Sequence, residues 1–155
     1  MTGVNFNDVL SSLRHIRGGI PAIRLTSRIR LGEHKSLFFG PSHDLFDIQE
    51  DIYGHILVAL TEAVNNGLQH GNKANPNKHI EVTFKVKDNK LFFTVKDEGS
   101  GFDHTTLPDP TDPKNIEKPT GRGIFLMKHL SDNVMFEDKG TKVILEFNLN
   151  KKKAS

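Results

Sequence analysis

Three small groups of residues in this 155-residue chain have types and spacings that can do chemistry together. Glu62 and Asn66 stand four positions apart, so on a helix they share one face. Asp97-Glu98-Gly99-Ser100-Gly101-Phe102-Asp103 follows an alternating apolar run. A carboxylate fixed at the end of a strand can accept a hydrogen bond from an exocyclic amine. Glycines just behind it let backbone approach a ring or phosphates where a Cβ would not fit. Thr120-Gly121-Arg122-Gly123 opens the run Ile124-Phe125-Leu126-Met127. Glycines at a helix N-terminus expose backbone N–H groups and the positive end of the dipole, a setting suited to phosphate, and Arg122 adds a formal charge. Each group also has a plainer reading: a polar surface stripe, a strand-to-loop turn, a glycine-rich helix start without a ligand. Their fixed order along one chain is far more specific than any one of them, and it points to a nucleotide. The chain has neither a Walker A sequence nor a Rossmann G-x-G-x-x-G.

Positioning these groups requires particular elements. A helix over residues 48–70 carries Glu62 and Asn66, with Ile52, Ile56, Leu60, Ala63 and Leu68 as its core stripe. Gly71-Asn72 and Asn75-Pro76-Asn77 end it. Residues 80–86 and 91–95 alternate apolar and polar, and the tight turn Asp88-Asn89 between them makes a hairpin that delivers Asp97. Residues 103–120 hold four prolines and little apolar content, so they read as a lid, a binding loop or a disordered segment. A short helix over 124–130 and strands over 133–137 and 142–149 complete this part, with Asp138-Lys139-Gly140-Thr141 between the strands. Upstream, residues 5–17 have helical spacing and stop at Gly18-Gly19; residues 22–31 alternate as a half-buried strand; residues 36–47 read as a short strand and turn. Residues 150–155 read as a disordered tail.

Composition bounds the rest. The length suits one domain, and 35% hydrophobic with 26% charged residues suits a globular one. A net charge of +2 gives no bulk case for nucleic acid, and Arg14 and Arg17 lack interleaved aromatics. The absence of Cys excludes disulfides, thiolate metal sites and cysteine nucleophiles. With no run near the ~18 apolar residues of a membrane span, a cytoplasmic protein without membrane contact is expected.

The stretches LTEAVNNGLQHGN (60–72), KDEGSGFD (96–103) and TGRGIFLMKHLSD (120–132) resemble the GHKL ATPase superfamily of gyrase, certain chaperones and histidine kinases. Within it they are most similar to the anti-sigma-factor serine/threonine kinases of bacterial partner-switching systems. The resemblance covers residues 48–149. It implies an α+β two-layer sandwich, the Bergerat fold, with a mixed sheet and an ATP lid, and it implies ATP and Mg2+ as cofactors. By it, Glu62 is the general base, Asn66 holds Mg2+, and Asp97 accepts from the adenine amine. Gly99 and Gly101 make room for the base, Gly121, Arg122 and Gly123 lie along the phosphates, and Thr141 stands near the adenine. The implied partners are an anti-anti-sigma protein as substrate, a sigma factor, and a second copy in a homodimer. The departure from the family pattern is N-terminal: a helix comes first, and residues 32–47 leave room for only a short element. His70 either faces the phosphates or caps the helix. A regulatory module that binds ATP without transferring phosphate is the alternative. A stand-alone histidine kinase is a weaker one, since His15 is followed by Ile16 rather than an acidic residue.

Overall fold

The computed structural model describes residues 25–29, 50–103, 105 and 121–149. The expected helix over 5–17, the short strand over 36–47, nearly all of the 103–120 loop and the tail over 150–155 lie outside these residues. The elements are β1 (Leu25–Ile29), α1 (Glu50–Asn66), β2 (Ile80–Lys87), β3 (Lys90–Lys96), α2 (Arg122–Leu130), β4 (Asn133–Glu137) and β5 (Lys142–Asn148).

The five strands form one sheet in the order β1-β2-β3-β5-β4. The β2–β3 hairpin turns at Asp88 (φ 51°) and Asn89 (φ 56°). These are the left-handed conformations that a two-residue turn matched to strand twist requires, and Asp and Asn tolerate them. Alternation then puts Ile80, Val82 and Val86 of β2, Leu91, Phe93 and Val95 of β3, and Val143, Leu145 and Phe147 of β5 on one buried face. The register keeps this face continuous, with Val82 opposite Val95, Phe93 opposite Leu145, and Leu91 opposite Phe147. Phe93 and Phe147 meet edge to face, ring centres 6.3 Å apart.

Helix α1 covers this face. Its predicted stripe is buried in full, Ile52, Ile56, Leu60 and Ala63 among them, and Ala59 and Val64 widen it. At roughly 25 cal/mol per Å2 of apolar surface removed from water, this shared core is the main source of stability. Helix α2 packs beside α1 and adds Ile124 and Met127 to the core.

A mixed sheet was expected, and the described sheet is antiparallel at every pairing. The reason is topological. Strands β3 and β4 run in the same direction, joined through α2, but β5 inserts between them and pairs antiparallel to both. The parallel relation therefore exists without a parallel ladder.

Candidate nucleotide-binding cleft

The expected helix to His70 changes character after Asn66. Residues Gly67–Gly71 form a π-turn, and the Asn72 N–H donates to the Gly67 carbonyl at 2.7 Å. Such a turn widens the helix end locally, a distortion that recurs at functional sites. Gly67 and Gly71 make it possible. A methyl group at 67 would come within 2.7 Å of Ile80 Cδ1, and one at 71 would strike the Asp97 carboxyl group. The helix end is thus pressed onto the start of β2 and onto Asp97.

Asp97 leaves the end of β3 as the sequence predicts. Its N–H donates to the Thr141 carbonyl (2.9 Å), and its Oδ1 accepts from the Gly99 N–H (2.8 Å). The side chain is partly buried, and burial pushes its pKa upward, opposed by the Gly99 N–H and the nearby Lys78. The rest of the loop is stitched to the β4–β5 turn, where the Phe102 N–H donates to the Lys139 carbonyl (3.0 Å). Phe102 also packs edge to face on Phe136, ring centres 6.0 Å apart.

Helix α2 starts at Gly121, whose φ of 92° turns the chain into the helix. Gly123, in the first turn, lies against α1. A methyl group there would sit 2.6 Å from Glu62 Oε2 and 3.3 Å from the Asn66 amide nitrogen. Glu62, Asn66 and the N-terminus of α2 therefore converge.

Between these elements lies a cleft of about 250 Å3. Helix α1 and its π-turn contribute Ala63, Asn66, Gly67, His70 and Gly71; the β3 end and its loop contribute Val95, Asp97 and Phe102. The α2 start contributes Gly121, Gly123, Ile124 and Met127, and the sheet with its β4–β5 turn contributes Phe136, Gly140, Thr141 and Val143. It is a mostly apolar slot with a carboxyl group at one end and a helix N-terminus beside an amide and a carboxylate at the other. A flat base carrying an exocyclic amine fits the first end and a phosphate chain the second.

Of the predicted residues, Asn66, Asp97, Gly121, Gly123 and Thr141 line the cleft, and Glu62 adjoins it behind Gly123. Gly99 and Gly101 serve a different contact from the one expected. A side chain at 99 would strike the Gly71 carbonyl, and one at 101 (φ 85°) would strike the Lys139 carbonyl. Both let backbone pack on backbone behind the cleft. Arg122 is exposed, between two glycines that do line it. His70 is exposed at the rim. Reading Gly71-Asn72 as a helix stop missed two parts of the site: the space Gly71 leaves for Asp97, and the burial of Asn72, which is 1% exposed. The available signal was a pair of glycines four apart inside a helical pattern, a costly arrangement that marks close approach. Among the described residues no group of three or more His, Asp or Glu is placed to hold a metal, and no helix is long and apolar enough to cross a membrane.

The chain is 28% identical over 102 residues to the serine-protein kinase RsbW of Listeria monocytogenes, covering 61% of this chain and 65% of that one. It is 32% identical over 105 residues to the anti-sigma F factor of Geobacillus thermodenitrificans, covering 64% and 71%. The chain thus spans just under two thirds of the Listeria relative. Residues 42–147 match the profile of the histidine kinase-like ATPase domain, and the chain belongs to that family.

Proposed function

We propose that this chain is an ATP-dependent serine/threonine protein kinase. Its substrate is a small anti-anti-sigma-type protein, and it sequesters a sigma factor when that substrate is phosphorylated. The observation that carries this reading is the Glu62 carboxylate, beside the Asn66 amide and the first turn of α2. A protein that only held ATP would need no base there. The names of the Listeria and Geobacillus relatives support the same class of activity.

The residues present fit ATP with Mg2+. Asp97 accepts from the adenine amine, and Thr141 and Phe136 wall the base. Gly121 and Gly123 line the cleft at the start of α2, where backbone N–H groups would meet phosphate oxygens. Asn66 would hold Mg2+ through one amide oxygen, leaving its other positions to water and phosphate, as this cation prefers. Bound there, Mg2+ would offset charge on the phosphates. Glu62 orients the incoming hydroxyl and takes its proton as the oxygen bonds to the terminal phosphorus, while the bond from that phosphorus to the bridging oxygen breaks and ADP leaves. Arg122, at the same helix start, adds positive charge near the phosphates. Activity as a homodimer is part of this proposal.

The test is single-turnover phosphorylation with labelled ATP and a candidate partner. Glu62→Gln should bind ATP as the unaltered protein does and lose transfer by about 100-fold or more. Transfer at the original rate in that variant overturns the base assignment. ATP binding without transfer to any partner favours the purely regulatory module.

A further inference from the structure

The Asn72 side chain, at the end of the helix, bonds to the two other backbone segments that meet under Asp97. It is 1% exposed, and among the described residues only it and Thr83 are buried polar side chains. Its Nδ2 donates to the His79 carbonyl at 2.9 Å, at the start of β2. Its Oδ1 accepts from the Glu98 N–H at 2.8 Å, one residue beyond Asp97. Its own N–H closes the π-turn on Gly67, and its carbonyl accepts from the Asn75 N–H at 3.1 Å. One amide group thus links the end of the helix, the first residue before β2 and the loop that carries the carboxyl group.

We propose that Asn72 is the positioning residue for base recognition: it sets the height of Asp97 in the cleft by holding Glu98 N–H against the helix end. This inference rests on the nucleotide reading of the cleft. The amide is needed because one side must donate while the other accepts. A carboxylate cannot donate to the His79 carbonyl, and an aliphatic side chain leaves both partly buried backbone groups without this partner. Other links to Glu98 exist. Its carboxylate accepts from the His79 N–H, and its carbonyl accepts from Lys78 Nζ at 3.0 Å. Both lie on the exposed side and hold Glu98 through its carboxylate and its carbonyl, not through the N–H that adjoins Asp97. Behind the cleft, the Gly71 and Gly99 backbones pack directly on each other, so a shift of residue 72 moves both segments around the Asp97 carboxyl group.

The experiment compares ATP with inosine triphosphate, which has a carbonyl where adenine has its amine. Kd values are measured by titration of the full chain, with melting temperature recorded for each variant. The unaltered protein and Asp97→Asn provide the scale, since the carboxyl group is what separates the two bases. Asn72→Ala should lower the ATP-to-inosine-triphosphate preference by about tenfold. A role limited to stability lowers the melting temperature or both affinities together and leaves the ratio intact, and an intact ratio overturns the proposal. Should Asn72→Ala not fold, amide exchange in the unaltered protein decides. The Glu98 N–H is protected to the level of the β3 amides if Asn72 holds it, and exchange at loop rates overturns the proposal. Failure of the nucleotide reading itself looks different: the unaltered protein then binds neither triphosphate, and the proposal falls with it.

Discussion

Gly71→Ala isolates the close approach on which the base end of the cleft depends. All three atoms nearest to a methyl group at position 71 belong to the Asp97 carboxyl group, with Oδ1 at 2.6 Å. The carboxyl group has little room to retreat, because the Asp97 N–H is held by the Thr141 carbonyl and Oδ1 by the Gly99 N–H. Relief requires rotating the side chain, which gives up the charged hydrogen bond to Gly99. Overpacking of this kind costs about 1–3 kcal/mol, and the lost hydrogen bond about 1.5–3 kcal/mol. Alanine returns only about 0.5–1 kcal/mol through lower backbone entropy in the unfolded chain. The steric term wins, leaving a net loss of about 1.5–5.5 kcal/mol, and a melting temperature lower by roughly 3–22 °C follows at about 2–4 °C per kcal/mol. ATP affinity should fall by about 10- to 100-fold, since the displaced carboxyl group no longer meets the base. Gly54→Ala is the control: a methyl group there has nothing within 4 Å, so the helical gain stands alone and the melting temperature should rise. Scanning fluorimetry and nucleotide titration read both. If Gly71→Ala binds ATP normally, or moves the melting temperature upward as Gly54→Ala does, the reasoning about Asp97 is wrong.

Three further outcomes follow from the same loop. Burial raises the Asp97 pKa above its ordinary 3.8, so the folded protein holds this proton more tightly than the unfolded chain. Its contribution to stability is full below 3.8 and is lost as pH rises through the folded value, and Asp97→Asn should flatten that part of a denaturation-versus-pH curve. Glu98, lowered from 4.5 chiefly by the His79 N–H, acts in the opposite sense: its contribution is present above 4.5 and is lost as pH falls through its folded value. Glu98→Gln should remove that limb. Gly101→Ala combines a φ of 85° with a clash on the Lys139 carbonyl. It should lower stability by about 1–3 kcal/mol in urea denaturation, while Ser100→Ala, at an exposed neighbour, should stay within about 0.5 kcal/mol.

How far the sequence alone reached depends on the range of the interaction involved. The helical stripe from Ile52 to Leu68, the alternation in β2, β3 and β5, and the Asp88-Asn89 turn are written in neighbouring residues, because period and backbone preference are local properties. The same holds for which residues form the chemical set: Glu62 and Asn66 on one face, Asp97 at a strand end, Gly121 and Gly123 at a helix start. Each needs only its own element to be right. The spatial relation between those elements is not local. That β5 inserts between β3 and β4, and so removes the parallel pairing expected of the sheet, follows from strand order, which no window of sequence encodes. The roles of the glycines depend on what lies opposite them. Gly71 faces a carboxyl group, Gly99 and Gly101 face carbonyls, and Gly123 faces Glu62 and Asn66. Asn72 resembles any polar residue after a helix until three segments from distant parts of the chain close around it. Periodicity and residue spacing determined the elements and the candidate groups they carry; long-range packing decided which backbone atoms meet, because a Cβ or a hydrogen bond has meaning only against the partner that tertiary structure brings to it.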